Sequence, residues 1–320
     1  MNILITGGLG FIGFSLSKYL LEKGFKIYCI DNQDKYYSVK LKKQRLLILK
    51  NHKKFIYFNN DITNFSKLKN KIAKIKIDYL FHFAAQAGVR YSLINPKKYY
   101  DTNVKGFNNI IEAINKKKLK KIIYASSSSV YGDQKKFPTD EKSELNAKNV
   151  YGKSKIINEL NANIWCKILK IPILGLRFFT VYGEWGRPDM FIIKLLNRYS
   201  KNKMFHLNKS GNHDRDFTHI NDVVRICYRL MKKKSEKKHL VFNICRGKTI
   251  NIKKISEYFK TMFPNIKIKN VKANKADVHK THGSNLKIKK YLNYNKFVDF
   301  NYGLVKIITW FKEYKINKFL

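Results

Sequence analysis

Short runs of apolar residues alternate with amphipathic stretches through the first half of the chain. The apolar runs predict β-strands at Asn2–Thr6, Lys26–Ile30, Phe55–Asn59, Tyr79–Ala84 and Lys121–Ser126. Between them, Phe14–Lys23 and Tyr99–Asn115 have the spacing of amphipathic helices. Continuous apolar strands separated by helices are typical of a parallel sheet that helices cover on both faces.

The same pattern continues into the middle of the chain and then becomes irregular. Helix Tyr151–Leu169 precedes strand Ile173–Phe179, and Val241–Cys245 can return to the main sheet. After about Val181 no regular alternation is visible. We therefore predict an α/β fold: a doubly wound, Rossmann-like parallel sheet with a smaller C-terminal α/β lobe for a substrate.

The first strand runs directly into a glycine-rich turn, Gly7-Gly8-Leu9-Gly10-Phe11-Ile12-Gly13, and then into a helix. In this context the glycines allow a tight turn and a close approach of the backbone to a pyrophosphate, which the helix N-terminus stabilises. Asp31 ends the second strand, where a carboxylate can accept hydrogen bonds from an adenosine ribose and repel a 2′-phosphate. No arginine adjoins Asp31 in the sequence, so NAD is favoured over NADP.

Asp61, at the end of the third strand, can similarly meet the adenine amino group. We expect residues 1–180, with return segments near 217–245, to form the NAD-binding domain, and residues 181–320 to form mainly the substrate lobe. The predicted cofactor-binding residues are Gly7, Gly10, Phe11, Ile12, Gly13, Asp31, Asn32, Asp61, Ile62, Ala84, Ala85, Tyr151 and Lys155.

A Tyr-x-x-x-Lys pair, Tyr151 and Lys155, begins the helix after the fifth strand. Positions i and i+4 share a helix face, so the phenol and the ammonium can point into one site. A nearby ammonium and the positive nicotinamide ring of NAD⁺ are expected to lower the tyrosine pKa, which makes the phenol a usable general base. Four serines, Ser126 to Ser129, stand about 24 residues earlier at a strand end.

The glycine turn, the serines and the Tyr–Lys pair together resemble the extended short-chain dehydrogenase/reductase superfamily. In that superfamily the serine three positions before the valine of Val130-Tyr131-Gly132 orients the hydroxyl that is oxidised, which is Ser127 here. The resemblance therefore implies a catalytic set of Tyr151, Lys155 and Ser127.

Four further segments resemble the UDP-glucuronate 4-epimerases of bacteria and plants. They are Asp31-Asn32 with Tyr36-Tyr37 and Leu41-Lys42, then 84–92, 125–132, and 176–190 with 215–218. The resemblance covers about two-thirds of the chain, and it implies that Arg187, Thr180 and Ser128 hold a C6 carboxylate and that Arg215 contacts the diphosphate. Ser127 and Arg90 complete the predicted substrate set. An arginine fork matches a carboxylate or phosphate bidentately, which supports these assignments independently.

The hypothesis that follows is a C4 epimerisation through a 4-keto intermediate. Tyr151 removes the 4-hydroxyl proton while hydride passes to NAD⁺, the keto sugar rotates, and hydride returns to its other face. A 4,6-dehydratase has Asp-Glu after the catalytic hydroxyl, whereas this chain has Ser128-Ser129. A UDP-glucuronate decarboxylase, a UDP-hexose or UDP-N-acetylhexosamine 4-epimerase, and a non-catalytic dinucleotide-binding regulator stay open.

Two positions depart from the epimerase pattern. Glu184 replaces the usual proline before Trp185-Gly186-Arg187, and a carboxylate so near the arginine can weaken uronate binding. Ala276 replaces a usual glycine. Asp189 and Asp222 are interpreted as residues at helix starts, and His82 as a core histidine.

The most unusual feature of the composition is its strong positive charge. The net charge is +44, from 57 Lys and 9 Arg against 22 acidic residues. The lysines are spread along the whole chain, so we expect a solvated surface and no specific nucleic-acid role; salt-sensitive retention on DNA would indicate otherwise. The four dispersed cysteines predict buried free thiols, no metal site and a cytoplasmic location, and no apolar run predicts membrane insertion. The superfamily resemblance implies a homodimer with a seam of helices Tyr99–Asn115 and Tyr151–Leu169.

Overall fold

The computed structural model describes residues 1–272, 278–314 and 316–320. Its strands are β1 (Asn2–Thr6), β2 (Lys26–Asp31), β3 (Phe55–Asn59), β4 (Tyr79–His82), β5 (Lys121–Ser127), β6 (Ile173–Phe178), β7 (Thr180–Tyr182), β8 (Phe205–Asn208), β9 (Asp214–His219), β10 (His239–Ile244), β11 (Thr249–Asn251) and β12 (Ile268–Val271). The helices are α1 (Phe11–Glu22), α2 (Val39–Lys50), α3 (Phe65–Ile72), α4 (Tyr91–Ile94), α5 (Pro96–Tyr99), α6 (Gly106–Ala113), α7 (Val150–Leu169), α8 (Phe191–Ser200), α9 (Ile220–Lys232), α10 (Ile252–Met262), α11 (Leu286–Leu292) and α12 (Phe300–Glu313).

Seven strands form one parallel sheet with the order β10-β6-β5-β4-β1-β2-β3. The order reverses between β1 and β4, and ligands bind at such a switch point beyond the carboxyl ends of the strands. The predicted doubly wound, Rossmann-like fold is confirmed. The prediction that the segment at Val241–Cys245 returns to the main sheet is also confirmed, because β10 pairs with β6 at the sheet edge.

Apolar side chains on both faces of the sheet explain why its strands are almost continuously hydrophobic. In β1, Ile3 and Ile5 pack into the cluster that contains α1 and α9, while Leu4 faces the cluster of α3, α6 and α7. Successive side chains of a strand point to opposite faces, so helices on both sides of the sheet bury every residue of such a run.

The remaining elements form a smaller unit beside the carboxyl edge of the sheet. A three-stranded sheet (β11-β9-β7) and a two-stranded sheet (β12-β8) pack with α8, α10 and α12 around a second apolar cluster. Strands of three to six residues with mixed directions explain why the sequence pattern becomes irregular after Val181.

The predicted helix Tyr99–Asn115 differs from the observed backbone. The chain passes from α5 through a π-helical segment, Tyr100–Lys105, into α6, which ends at Ala113. The wider turn lets the fully buried Asn103 reach two other elements, as described below. Ala276 lies outside the described residues. Within those residues, no helix combines the length and apolarity needed to cross a bilayer.

Candidate active site

One cavity of about 700 Å³ opens at the carboxyl ends of the central strands and extends toward the smaller unit. Every residue that the sequence analysis assigned to the cofactor, the catalytic step or the substrate lines it: Gly7, Gly10, Phe11, Ile12, Gly13, Asp31, Asn32, Asp61, Ile62, Ala84, Ala85, Arg90, Ser127, Ser128, Tyr151, Lys155, Thr180, Arg187 and Arg215. Residues spread over more than two hundred positions of sequence therefore meet in one place.

The glycine turn forms a cradle that side chains would fill. Gly7 has φ +68°, and a Cβ there would lie 2.6 Å from the backbone nitrogen of Ala84. A Cβ on Gly13 would overlap the carbonyl oxygen of Gly7. Gly10 is the N-cap of α1 and has no side chain that could accept from the first N–H groups of the helix. These N–H groups can therefore bind an anion. These residues fit the pyrophosphate of a dinucleotide such as NAD.

Asp31, at the end of β2, is nearly buried and is held by the backbone. Its Oδ2 accepts from Leu9 N (3.0 Å) and its Oδ1 from Gln33 N (2.8 Å). Burial raises the pKa of Asp31, which Lys42 and these two N–H groups oppose. Each carboxylate oxygen has a second lone pair, so the group can still accept from ribose hydroxyls.

The predicted adenine-side residues Asn32 and Asp61 contact one another, with Asn32 Nδ2 donating to Asp61 Oδ2 (2.8 Å). Asp61 Oδ1 also accepts from the backbone N–H of Thr63 (2.8 Å). Asn64, and not Asp61, is the N-cap of α3. The side chain of Asp61 is therefore fixed at the cavity wall and is not used to cap the helix.

Tyr151 and Lys155 lie on the first turns of α7, one turn apart, as predicted. Lys155 Nζ donates to the carbonyl oxygen of Ala125 near the end of β5 (2.8 Å). The same nitrogen lies 5.9 Å from the centroid of the Tyr151 ring. Ser127 follows at the end of β5, and its Oγ accepts from Ser129 N (3.1 Å). The helix and the strand end are thus joined through the lysine, which fixes the phenol over the cavity.

Burial has the largest effect on the pKa of the Tyr151 phenol. Burial raises its pKa, while a hydrogen bond with Ser127 and the charge of Arg187 lower it. Burial lowers the pKa of Lys155 to about 8, and Glu159 opposes that shift. The Lys155 ammonium is directed at the carbonyl oxygen of Ala125 and is itself desolvated, and its expected effect on the pKa of Tyr151, together with that of the nicotinamide ring, stays a prediction.

Asn103, in the π-helical segment, ties three elements at the site together. Its Oδ1 accepts from Gln86 N (2.7 Å), and its Nδ2 donates to Gln86 O (3.1 Å) and to Ser154 Oγ (2.9 Å). Ser154 precedes Lys155 on α7, and Gln86 follows the strand end at Ala84 and Ala85. The sequence analysis missed Asn103, because a polar residue in a helical pattern gives no signal of a bond to a distant loop.

The loop that carries Arg187 is fixed by a second residue that the sequence analysis missed. Arg45, on α2, is fully buried, and its guanidinium donates to Leu9 O in the glycine turn (2.7 Å) and to Trp185 O (2.5 Å). Trp185 has φ +61°. An arginine with several donors can hold two loops at once, so Arg45 joins the cofactor loop to the loop of Arg187.

Arg187 itself pairs with a carboxylate of its own loop. Its Nε and Nη2 contact Asp189 Oδ1 and Oδ2 at 3.0 and 2.5 Å. Burial disfavours the charge on Arg187, but the Asp189 carboxylate raises its pKa overall. Asp189 directly precedes Met190, the N-cap of α8, so it lies at a helix start as interpreted, but its carboxylate fills the arginine fork and does not cap the helix.

Glu184, the position that departs from the epimerase pattern, faces away from that fork. Its Oε2 lies 3.4 Å from Nε2 of the fully buried His219. Nδ1 of His219 accepts from Asn221 N (3.2 Å), which leaves the Nε2 edge of the ring in contact with the Glu184 carboxylate. Glu184 thus contacts the last residue of β9, and its expected effect on uronate binding stays a prediction.

Arg215 approaches the cavity from β9 and is held by backbone carbonyl groups. Its guanidinium donates to Asp214 O (2.8 Å), His279 O (3.0 Å) and Val278 O (2.7 Å). Arg90, also predicted for the substrate, is exposed at the cavity rim. The three predicted substrate arginines, Arg90, Arg187 and Arg215, thus line one cavity from three separate segments of the chain.

A buried ionic network supports the serine end of β5. Arg177 on β6 contacts Glu159 on α7 through Nε–Oε1 (2.9 Å) and Nη2–Oε2 (2.7 Å), and Ser126 Oγ donates to Glu159 Oε1 (2.6 Å). Arg177 Nη1 also donates to Tyr131 Oη (2.8 Å). Glu159 lies one helical turn after Lys155, so this network sets the register between α7 and the strand that ends in Ser127.

A glycine cradle at β1, a serine at the end of β5 and a Tyr–Lys pair on α7 define a short-chain dehydrogenase/reductase of the extended type. Residues 3–245 match the family model described as the NAD dependent epimerase/dehydratase family, and the chain belongs to that family.

Individual relatives are similar to this protein over nearly the whole chain. A UDP-glucuronate 4-epimerase of Thermodesulfobacterium geofontis is 34% identical over 97% of this chain and 96% of its own length. An uncharacterised protein of Methanocaldococcus jannaschii is 38% identical over 98% of this chain and 97% of its own. The UDP-glucuronic acid 4-epimerase of Bacillus cereus, solved with UDP-glucuronic acid and NAD, superposes with a TM-score of 0.89 at 29% identity, covering 98% of this chain and all of that one.

Proposed function

We propose that this protein is an NAD-dependent UDP-sugar 4-epimerase that interconverts UDP-glucuronate and UDP-galacturonate. The observation that carries the proposal is the meeting of Ser127, Tyr151 and Arg187 in one cavity with the glycine cradle. A base, an orienting hydroxyl and a carboxylate-binding cation are the groups that such a reaction needs. The similarity to UDP-glucuronate 4-epimerases over nearly the full length supports the same conclusion.

In this proposal the chain supplies proton transfer, orientation and charge. The Tyr151 phenol, as phenolate, accepts the proton of the 4-hydroxyl, and Ser127 orients that hydroxyl by hydrogen bonding. NAD, when bound, supplies a hydride acceptor and then a hydride donor, so the reaction has no net redox change. Lys155 stays charged below a pH of about 8 and fixes the tyrosine helix against β5.

The carboxylate has to be held while the sugar is in its 4-keto form. This intermediate is a β-keto acid, which loses carbon dioxide when the C5–carboxylate bond aligns with the carbonyl π-system. We propose that Arg187, with Ser128 and Thr180, holds the carboxylate out of that alignment, and that Arg215 with Arg90 binds the diphosphate side. The residues after the catalytic serine, Ser128-Ser129, are not an acid/base pair, which disfavours dehydration.

Two features of the whole chain fit the proposal. Residues 1–180, with the return near 217–245, would bind NAD, and residues 181–320 would mainly bind the sugar. We infer that the net charge of +44 attracts anionic sugar nucleotides and does not mark a specific nucleic-acid site, since the lysines are dispersed. The four cysteines are buried free thiols, as predicted, and they fit the proposed cytoplasmic location.

We expect the purified protein to convert UDP-glucuronate into UDP-galacturonate until the two reach equilibrium. The reaction should need bound NAD but consume none, because the hydride returns to the substrate. NMR spectra of the product mixture, recorded with and without added NAD⁺, measure both properties.

Other outcomes of that experiment separate the alternatives. Carbon dioxide release with formation of a UDP-pentose identifies a decarboxylase and contradicts the role of Arg187. Turnover of UDP-glucose or UDP-N-acetylglucosamine, with none of UDP-glucuronate, identifies a neutral-sugar epimerase. NAD binding without turnover of any of the three identifies a dinucleotide-binding regulator.

We also propose a homodimer that uses the outer face of α7. Ile157, Leu160, Ile164 and Ile168 form an apolar stripe on this helix, with exposed fractions of 37%, 61%, 55% and 61%. Their spacing of three to four residues puts them on one face. Tyr100, in the neighbouring π-helical segment, is 55% exposed. The proposed seam uses the two segments that the superfamily resemblance implied.

Leu160→Glu is expected to convert the dimer into a monomer. A carboxylate at the centre of the stripe would be buried without a partner in the assembly, which costs several kcal/mol. Sedimentation velocity of both proteins at equal concentration measures the change in mass. Leu47→Glu is the matched control, since Leu47 is similarly exposed (56%) but lies on α2. A dimeric Leu160→Glu variant, or a monomeric wild type, contradicts the proposed seam.

A further inference from the structure

The fork of Arg187 is already filled in this structure by a carboxylate of the chain itself. Both donors that a bidentate carboxylate requires, Nε and Nη2, contact the two oxygens of Asp189. Tyr36 Oη also donates to Asp189 Oδ2 (3.2 Å). A uronate carboxylate that binds to the Nε–Nη2 edge would need the same two donors, because one edge of a guanidinium holds one planar anion bidentately.

The pair lies in the cavity wall and is able to open. The side chains of Arg187 and Asp189 are 20% and 34% exposed, in contrast to the closed network around Arg177. Solvent-exposed ion pairs contribute about 1 kcal/mol or less, and a bidentate pair such as this one belongs at the upper end of that range. An incoming carboxylate with the same bidentate geometry can therefore replace Asp189. Lys194, one turn into α8, lines the same cavity; burial and the charges of Arg90 and Arg198 lower its pKa, which the Asp189 carboxylate opposes. A released Asp189 therefore has a second cation nearby.

We propose that Asp189 is a specificity-determining residue, an internal carboxylate that competes with the substrate carboxylate for Arg187. This inference rests on the proposed function, since it takes Arg187 as the uronate-binding residue. A uronate replaces Asp189 on the arginine with an equivalent charge. A 6-hydroxymethyl group carries no charge and leaves the Arg187–Asp189 pair closed.

A competing Asp189 and a purely structural Asp189 would affect the affinity for an anionic sugar in opposite directions. Removing the competitor makes the fork available at all times, so the apparent affinity for an anionic sugar rises. Loss of a positioning contact would instead weaken binding. The direction of the change therefore separates the two roles.

Titration calorimetry on the full-length, NAD-loaded protein tests the proposal. All variants carry Tyr151→Phe to stop turnover, and UDP-glucuronate and UDP-glucose are the two titrants. Asp189→Asn keeps the size of the side chain and removes its charge. We expect its Kd for UDP-glucuronate to fall about fivefold, the factor that corresponds to a pair of about 1 kcal/mol, and its Kd for UDP-glucose to stay unchanged.

Glu184→Gln is the matched control, because Glu184 lies three positions from Arg187 in sequence, on its other side from Asp189, and its carboxylate contacts His219. Its amide oxygen can still accept from His219, and both affinities should stay as in the parent. Unchanged or weaker UDP-glucuronate binding by Asp189→Asn overturns the proposal, and so does tighter binding by Glu184→Gln alone.

Failure of the proposed function has a different signature. A parent protein that binds UDP-glucose as tightly as UDP-glucuronate contradicts both the uronate specificity and the competition. A parent that prefers UDP-glucuronate, with no gain in Asp189→Asn, contradicts the competition alone. Turnover in the protein with an intact Tyr151 is measured separately and decides the reaction.

Discussion

Tyr151→Phe is expected to lower kcat for the interconversion of UDP-glucuronate and UDP-galacturonate by about 10³-fold. The substitution removes only the phenol oxygen, the group proposed to accept the 4-hydroxyl proton. Burial raises the pKa of Tyr151, so formation of the phenolate is expected to depend on positive charge beside the phenol. Initial rates from NMR or a coupled assay for the product, at saturating substrate, measure the loss.

Tyr99→Phe is the matched control. Its ring lies 6.2 Å from that of Tyr151, but its hydroxyl donates to the backbone oxygens of Ala87 (2.7 Å) and Gly88 (2.5 Å). We expect that variant to retain kcat within about tenfold of wild type. Tyr151→Phe should also still bind NAD and UDP-glucuronate. A Tyr151→Phe variant with wild-type kcat would remove Tyr151 from the role of base.

The features that were predicted from sequence depend on local pattern. The ends of β1 and β3 agree with the prediction residue by residue, because each strand is a continuous apolar run bounded by polar or glycine residues. The glycine turn and the Tyr–Lys pair are equally local. A tight turn and one helical turn fix the geometry of each without help from the rest of the fold.

The features that sequence did not predict depend on contacts between distant segments. Arg45 gives no local signal, since on an amphipathic helix an arginine usually faces solvent, yet here it reaches carbonyl groups of two loops. The partner of Glu184 is 35 positions away, and only the packing of β9 and α9 brings His219 to it. Asp189 is close to Arg187 in sequence, but the direction of both side chains depends on the turn at Trp185 and Gly186.

The ion pairs of the site differ in how far their carboxylates are exposed to solvent. Network carboxylates that need not move, such as Glu159, are buried and bonded on both oxygens. Asp189, which would have to leave its arginine for a uronate to bind, is partly exposed. In the proposed mechanism, the buried Arg177–Glu159 pair holds the geometry of the site, and the more exposed Arg187–Asp189 pair exchanges partners.

Arg177→Met is expected to destabilise the protein by about 3–5 kcal/mol, because it leaves the Glu159 carboxylate buried without a cation. The side chains of Arg177 and Glu159 are 5% and 8% exposed, so water cannot replace the lost bonds. Burial disfavours the charge of Arg177, yet Glu159 raises its pKa, so the pair is ionised in the fold. Thermal melting should show Tm lowered by about 10 °C, with chemical denaturation as a second measure.

Two further variants test whether the unpaired charge is the cause. Adding Glu159→Leu to Arg177→Met removes the stranded carboxylate and should recover part of the lost stability, since an apolar replacement of a whole buried pair is tolerated better than half of it. Arg187→Met makes the same side-chain change at a partly exposed pair and should cost at most about 1 kcal/mol. If the double variant melts no higher than Arg177→Met, the loss comes from packing around Tyr131 and Ser126, and the charge of Glu159 is not its source.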